Sequence, residues 1–153
     1  RSVSAFLLNR SSDLAMPYYA YDELNQTGDG WLRQKLGRFY FRLANWRQPQ
    51  VIVSSDYKDY WLAGCRRAIV RRDVGSSVEL MHVDISLADG LIDRISPSLD
   101  NRSVVVVEGL WHNWALWHQL TADKRVRVTF DLYYCGLLLF DSKRTKQNYI
   151  INF

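Results

Sequence analysis

Ser103-Val104-Val105-Val106-Val107-Glu108 is the most strand-like run in this 153-residue chain. Four consecutive valines offer no polar alternation, so a strand built from them must be buried on both faces, as at the centre of a parallel sheet covered by helices. Two further runs upstream have the same character. Val78-Glu79-Leu80-Met81-His82-Val83-Asp84 is one, and Gln50-Val51-Ile52-Val53-Ser54, bounded by Pro49 and by Ser55-Asp56, is the other.

Each of these strands leads into a helical segment. Asp56 opens a helix to about Val70, with Asp59 complementing its N-terminal dipole and Leu62, Cys65 and Ile69 on its inner face. Ser86 caps a helix carrying Leu87, Leu91, Ile92 and Ile95, which Pro97 ends, and a short aromatic helix runs from Asn113 to about Leu120. Before the first strand, Leu32, Leu36, Phe39, Leu43 and Trp46 recur at steps of four and three, one face of a helix from Trp31 to Trp46 with Asp29 as its cap.

Toward the C-terminus, Arg125-Val126-Arg127-Val128-Thr129-Phe130-Asp131-Leu132 alternates as a strand does. A tight link at Tyr133–Gly136 leads into Leu137–Phe140, and a last short strand is expected within Asn148–Phe153. Residues 1–28 show no clean period and read as an N-terminal arm with a short helix near Tyr18–Asn25, preceding one domain at 29–153.

The predicted fold is therefore α/β: a shortened Rossmann-like sheet of about five strands, three parallel and two in a C-terminal antiparallel hairpin, with helices on both faces. Val51–Ser54 would form its edge. A bare edge invites pairing, so either self-association, as a homodimer or with a protein partner, or coverage by the N-terminal arm is expected there.

Composition narrows the function classes. Hydrophobic residues at 48% and charged residues at 24% are ordinary globular usage, while the 14% aromatic share is high. No apolar run is long enough to span a bilayer, and Arg1–Leu8 has neither a long apolar stretch nor a cleavage signature, so a cytoplasmic location without membrane association is expected. Cys65 and Cys135 lie far apart in apolar surroundings and read as buried free thiols. A net charge of +4 permits a polyanionic partner.

Basic residues cluster on the polar face of the first helix (Arg33, Lys35, Arg38, Arg42), at Arg66, Arg67, Arg71 and Arg72, and at Lys143, Arg144 and Lys146. Because polar helix faces are ordinarily just solvated, nucleic-acid binding is the weaker expectation. Trp111, Trp114 and Trp117, spaced by three, read first as core; were they exposed, they would mark a partner-binding patch.

Several segments together resemble one bacterial branch of the class I S-adenosylmethionine-dependent methyltransferases. They are Gly37–Leu43 followed by Pro49–Val53; Ser103–Glu108 followed by Trp111-His112-Asn113; and, closest, Arg125–Leu132 through Gly136–Phe140 to Gln147-Asn148-Tyr149 and Asn152-Phe153. The resemblance implies S-adenosylmethionine as the cofactor, if any is bound, with Ser54, Ser55, Asp56, Asp84 and Glu108 around its crevice. In related metal-dependent O-methyltransferases, acids at the strand ends matching Asp84 and Glu108 hold a divalent cation. Two carboxylates alone seldom complete such a site, so no metal is expected.

Two departures from that family bear on chemistry. The cofactor loop normally uses glycines so that backbone amides approach the ligand, whereas Val53-Ser54-Ser55-Asp56-Tyr57-Lys58-Asp59 contains none. Between Val70 and Val78 there is also no room for the two strand–helix units that would supply the ribose-binding acid. A degenerate cofactor site follows, on a chain that is either methyltransferase-like with some ligand binding or a non-catalytic binding or assembly module. His82, His112 and His118 lack zinc-hydrolase spacing, and neither a nucleophile elbow nor a P-loop occurs.

Overall fold

A computed structural model describes residues 30–151. The expected arm, Asp29 and the end of the expected last strand lie outside the described residues. The described chain forms two compact units, residues 30–50 with 56–70, and residues 51–55 with 71–151.

The first unit is helical. Helix α1, Trp31–Arg47, buries Leu36, Phe39, Tyr40, Leu43 and Ala44, extending the stripe that the sequence periodicity marks. Gly30 stands at its N-cap, and the chain leaves through Gln48, whose left-handed conformation (φ 48°) lets its amide donate to Ala44 O at 2.8 Å. Helix α2 is short, Lys58–Gly64. A Cβ on Gly37 would lie 2.4 Å from the Tyr60 ring and one on Gly64 would lie 2.3 Å from Phe41 O, so both glycines are needed for the two helices to pack closely.

The helix expected to reach Val70 ends at Gly64 because Cys65 turns to an extended conformation (φ −143°, ψ 89°), and the β-branched pair Ile69-Val70 then enters a strand, β2 (Ile69–Arg71). This corrects the predicted edge. Ile69 N donates to Gln50 O at 2.9 Å and Ser54 N donates to Arg71 O at 2.7 Å, so the strand at Val51–Val53, β1, is bordered by β2. The outermost strand on that side is three residues long and runs into Arg71-Arg72, two of the devices that blunt a sheet edge.

The remaining strands are β3 (Leu80–Asp84), β4 (Val104–Glu108), β5 (Val128–Asp131), β6 (Cys135–Leu139) and β7 (Gln147–Ile150), giving a seven-stranded sheet of order β2-β1-β3-β4-β6-β5-β7. Strands β1, β3 and β4 are parallel, β6 is antiparallel to both β4 and β5, and β7 returns parallel to β5. The parallel trio and the C-terminal hairpin are as the sequence predicts; β2 and β7 raise the expected count of about five to seven.

Val104–Val107 are buried on both faces, as their run of valines requires. On one face Val53, Met81, Val83, Val105, Val107 and Leu138 form a core with side chains of α3 (Leu91–Ile95) and α4 (Trp114–Ala122). The helix expected from Ser86 to Ile95 is broken: a 3-10 turn at Ile85–Leu87 precedes α3, and Gly90 in the left-handed region (φ 65°) separates the two. Asn113 caps α4, its side chain accepting from Leu116 N at 3.1 Å. Among the described residues no helix is long and apolar enough to cross a membrane.

Candidate functional site

In an open parallel sheet, ligands bind outside the carboxyl ends of the strands, so the residues following β1, β3 and β4 are where chemistry would be found. Ser54 follows β1, while Asp84 and Glu108 end β3 and β4 and are register partners. The pairing of Val53 with Met81 continues to place Ser54 beside His82, and His82 pairs with Val106, two residues before Glu108. Since side chains alternate along strands, Ser54, His82 and Glu108 stand on one sheet face.

Those three side chains form a hydrogen-bonded ladder. His82 Nε2 lies 2.9 Å from Glu108 Oε1, and Ser54 Oγ lies 3.4 Å from His82 Nδ1. A carboxylate only accepts, so the Nε2 proton is assigned to the bond with Glu108, which leaves Nδ1 to accept from the Ser54 hydroxyl. This polarity is that of a nucleophile–base–acid relay. Its nucleophile end is the closed end, with Ser54 only 4% and His82 8% exposed, and the arrangement reads as a satisfied polar network inside the sheet.

Asp84 is committed elsewhere. It is the N-cap of the 3-10 turn, its carboxylate accepting from Ser86 N at 3.0 Å, so the capping role expected of Ser86 belongs to Asp84. Among the described residues no group of three His, Cys, Asp or Glu side chains is placed to hold a metal ion. Ser55 is exposed.

Asp56 belongs to the helical unit and does not open α2 as expected. Its carboxylate takes the Arg33 guanidinium through both oxygens, at 2.8 and 2.9 Å, and also accepts from Tyr57 N at 2.8 Å. Trp61 Nε1 donates to Asp56 O at 3.1 Å. Tyr57, the N-cap of α2, is in the left-handed region (φ 61°), a conformation that glycine adopts freely and a bulky residue does not. Its ring is 5% exposed, packs edge-on to Tyr40 at 4.8 Å and lies under the Arg33 guanidinium at 4.2 Å.

The residues present therefore do not fit the S-adenosylmethionine cradle that the family resemblance implies. A glycine turn would offer open amides; here the Tyr57 amide donates to Asp56 Oδ1, and its side chain is buried against Tyr40 within the helical unit. Asp84 and Glu108 end β3 and β4, and Ser54, Ser55 and Asp56 follow β1; unforeseen from the sequence are His82 as the link between Ser54 and Glu108 and Arg33 as the partner of Asp56. The first was detectable from strand parity, because His82 shares a face with Asp84 two residues on. The second joins residues 23 apart and leaves no local pattern.

The fold is that of a methyltransferase-like α/β protein. The solved structure of a methyltransferase from Geobacter sulfurreducens is similar to it, with a TM-score of 0.50 and 12% sequence identity over 91% of this chain and 95% of that one. At that identity the likeness establishes the fold. No protein-family model and no curated protein matches the sequence.

Proposed function

We propose that this chain is a non-catalytic binding or assembly module on a methyltransferase-like scaffold, degenerate at the S-adenosylmethionine loop. One observation carries the reading: Tyr57, buried and in the left-handed conformation, occupies the turn where the fold would present open backbone amides to a cofactor. The commitments of Asp84 to Ser86 N and of Glu108 to His82 add to it, because the strand-end acids already serve the protein's own groups. The segment resemblance to a bacterial methyltransferase branch, closest at Arg125–Phe153, supports descent from a cofactor-binding ancestor. Cys65 and Cys135, both buried and not joined in a disulfide, suit a reducing cytoplasm.

Isothermal titration of the full chain with S-adenosylmethionine and with S-adenosylhomocysteine tests the proposal. No saturable heat is expected at millimolar ligand. Micromolar binding that Asp84→Ala abolishes would overturn it.

A further inference from the structure

The turn between β5 and β6 presents an aromatic surface. Tyr133 is 55% exposed and adopts the left-handed region (φ 71°). Its ring lies nearly parallel to Trp111 (centroids 6.3 Å, planes 5° apart) and edge-on to Trp114 (5.9 Å) and Tyr134 (4.9 Å). Trp111, Trp114 and Tyr134 are each partly exposed, whereas Trp117, the third member of the tryptophan stripe, is buried. The stripe is thus core at one end and surface at the other.

The turn is held in place by its own hydrogen bonds. Tyr133 N donates to Asp131 Oδ1 at 2.8 Å, Tyr134 N to Leu132 O at 2.9 Å, and Gly109 N to Tyr134 O at 2.8 Å. Residues held in sparsely populated backbone conformations cluster at functional sites, and here the residue so held is an exposed tyrosine.

Charge selects the occupant. Asp131 ends β5 at the base of the displayed ring, its Oδ1 accepting from Tyr133 N, and stands on the sheet face opposite to Glu108 and Asp84. Neither residues 103–123 nor residues 128–142 contain a lysine or arginine, although the chain has 20 of them and a net charge of +4. Aromatic faces and carboxylates both attract cations, and the carboxylates repel phosphate.

We infer that this surface binds a basic segment of a partner protein, seating a lysine or arginine side chain against Tyr133 and Trp111 beside Asp131. The inference rests on the reading of the chain as a binding module and names the chemistry of its partner. Its test is independent of the cofactor titration, so either can fail alone.

Fluorescence anisotropy of labelled octa-arginine with the full chain measures the interaction, with oligothymidylate as the opposite-charge probe. Octa-arginine is expected to bind saturably despite the protein's net positive charge, and Tyr133→Gly to weaken binding by about tenfold. Glycine suits the Tyr133 backbone, so this variant keeps the fold, which its thermal unfolding verifies. Absence of octa-arginine binding, binding unchanged in Tyr133→Gly, preference for oligothymidylate, or a dimer of the chain that Tyr133→Gly dissociates would each overturn the inference.

Discussion

His82 Nε2 and Glu108 Oε1 stand 2.9 Å apart across adjacent parallel strands, and His82 Nδ1 carries the chain of hydrogen bonds on to Ser54 Oγ. The ladder links β4 through β3 to the residue after β1 on a face otherwise occupied by Ile52, Leu80, Val104 and Val106. A polar group buried among such neighbours must be hydrogen-bonded, and here the bonds also tie the strand ends together.

Glu108→Ala removes the acceptor that His82 Nε2 uses and is expected to destabilise the protein by about 1–3 kcal/mol. Ser54→Ala removes the weaker, longer bond and is expected to cost about 1 kcal/mol or less. Urea denaturation measures both. The double variant should show a coupling between the two sites, since both act through one imidazole.

Tyr57 gives a second test, because its ring and its backbone pull in opposite directions. Tyr57→Ala removes a buried aromatic while keeping the unfavourable conformation, at an expected cost of about 3–5 kcal/mol. Tyr57→Gly removes the same ring but relaxes the backbone, and is expected to cost about 1 kcal/mol less than the alanine variant. Comparing the two denaturation midpoints isolates the strain stored in the loop.

Gly136 lies in β6 directly against Trp117, where a Cβ would stand 2.3 Å from the indole ring. Gly136→Ala forces that buried ring to move and is expected to cost about 1–3 kcal/mol. Gly75→Ala is the matched control, since nothing lies within 4 Å of its added Cβ. Thermal unfolding should separate the two variants clearly.

Acid sensitivity has an identifiable contributor. Hydrogen bonding from Arg125 is the main cause holding the Asp123 carboxyl below its ordinary value of 3.8. A carboxyl with a depressed folded-state pKa contributes stability above its unfolded pKa, and that contribution is lost as pH falls through the folded value. Asp123→Asn is therefore expected to lower the Tm by no more than about 3 °C at pH 7, with the difference shrinking as the pH falls below the ordinary carboxyl value of 3.8. At the other end of the scale burial lowers the Lys146 pKa, and its ammonium donates to Asp123 O and Val126 O.

The framework was legible where chemistry was local. The valine run at Val104–Val107 fixed a strand buried on both faces, and the Leu36, Phe39 and Leu43 spacing fixed α1. What escaped was settled by non-local contacts. The pair Ile69-Val70 looks helical by its distance from Leu62 and Cys65, yet it becomes strand because it can pair with the segment Gln50–Ser54. The absence of glycine around Tyr57 is visible in the sequence, but not that the tyrosine itself takes the glycine conformation.

We propose that the loop at Ser54–Tyr57 does not bind an adenosyl ligand. Backbone amide resonances of residues 54–57 and 84–86, followed by NMR during addition of S-adenosylmethionine, test it most directly. No saturable shift is expected at millimolar ligand; progressive, saturable shifts of the Tyr57 and Ser86 amides at micromolar ligand would rule the proposal out.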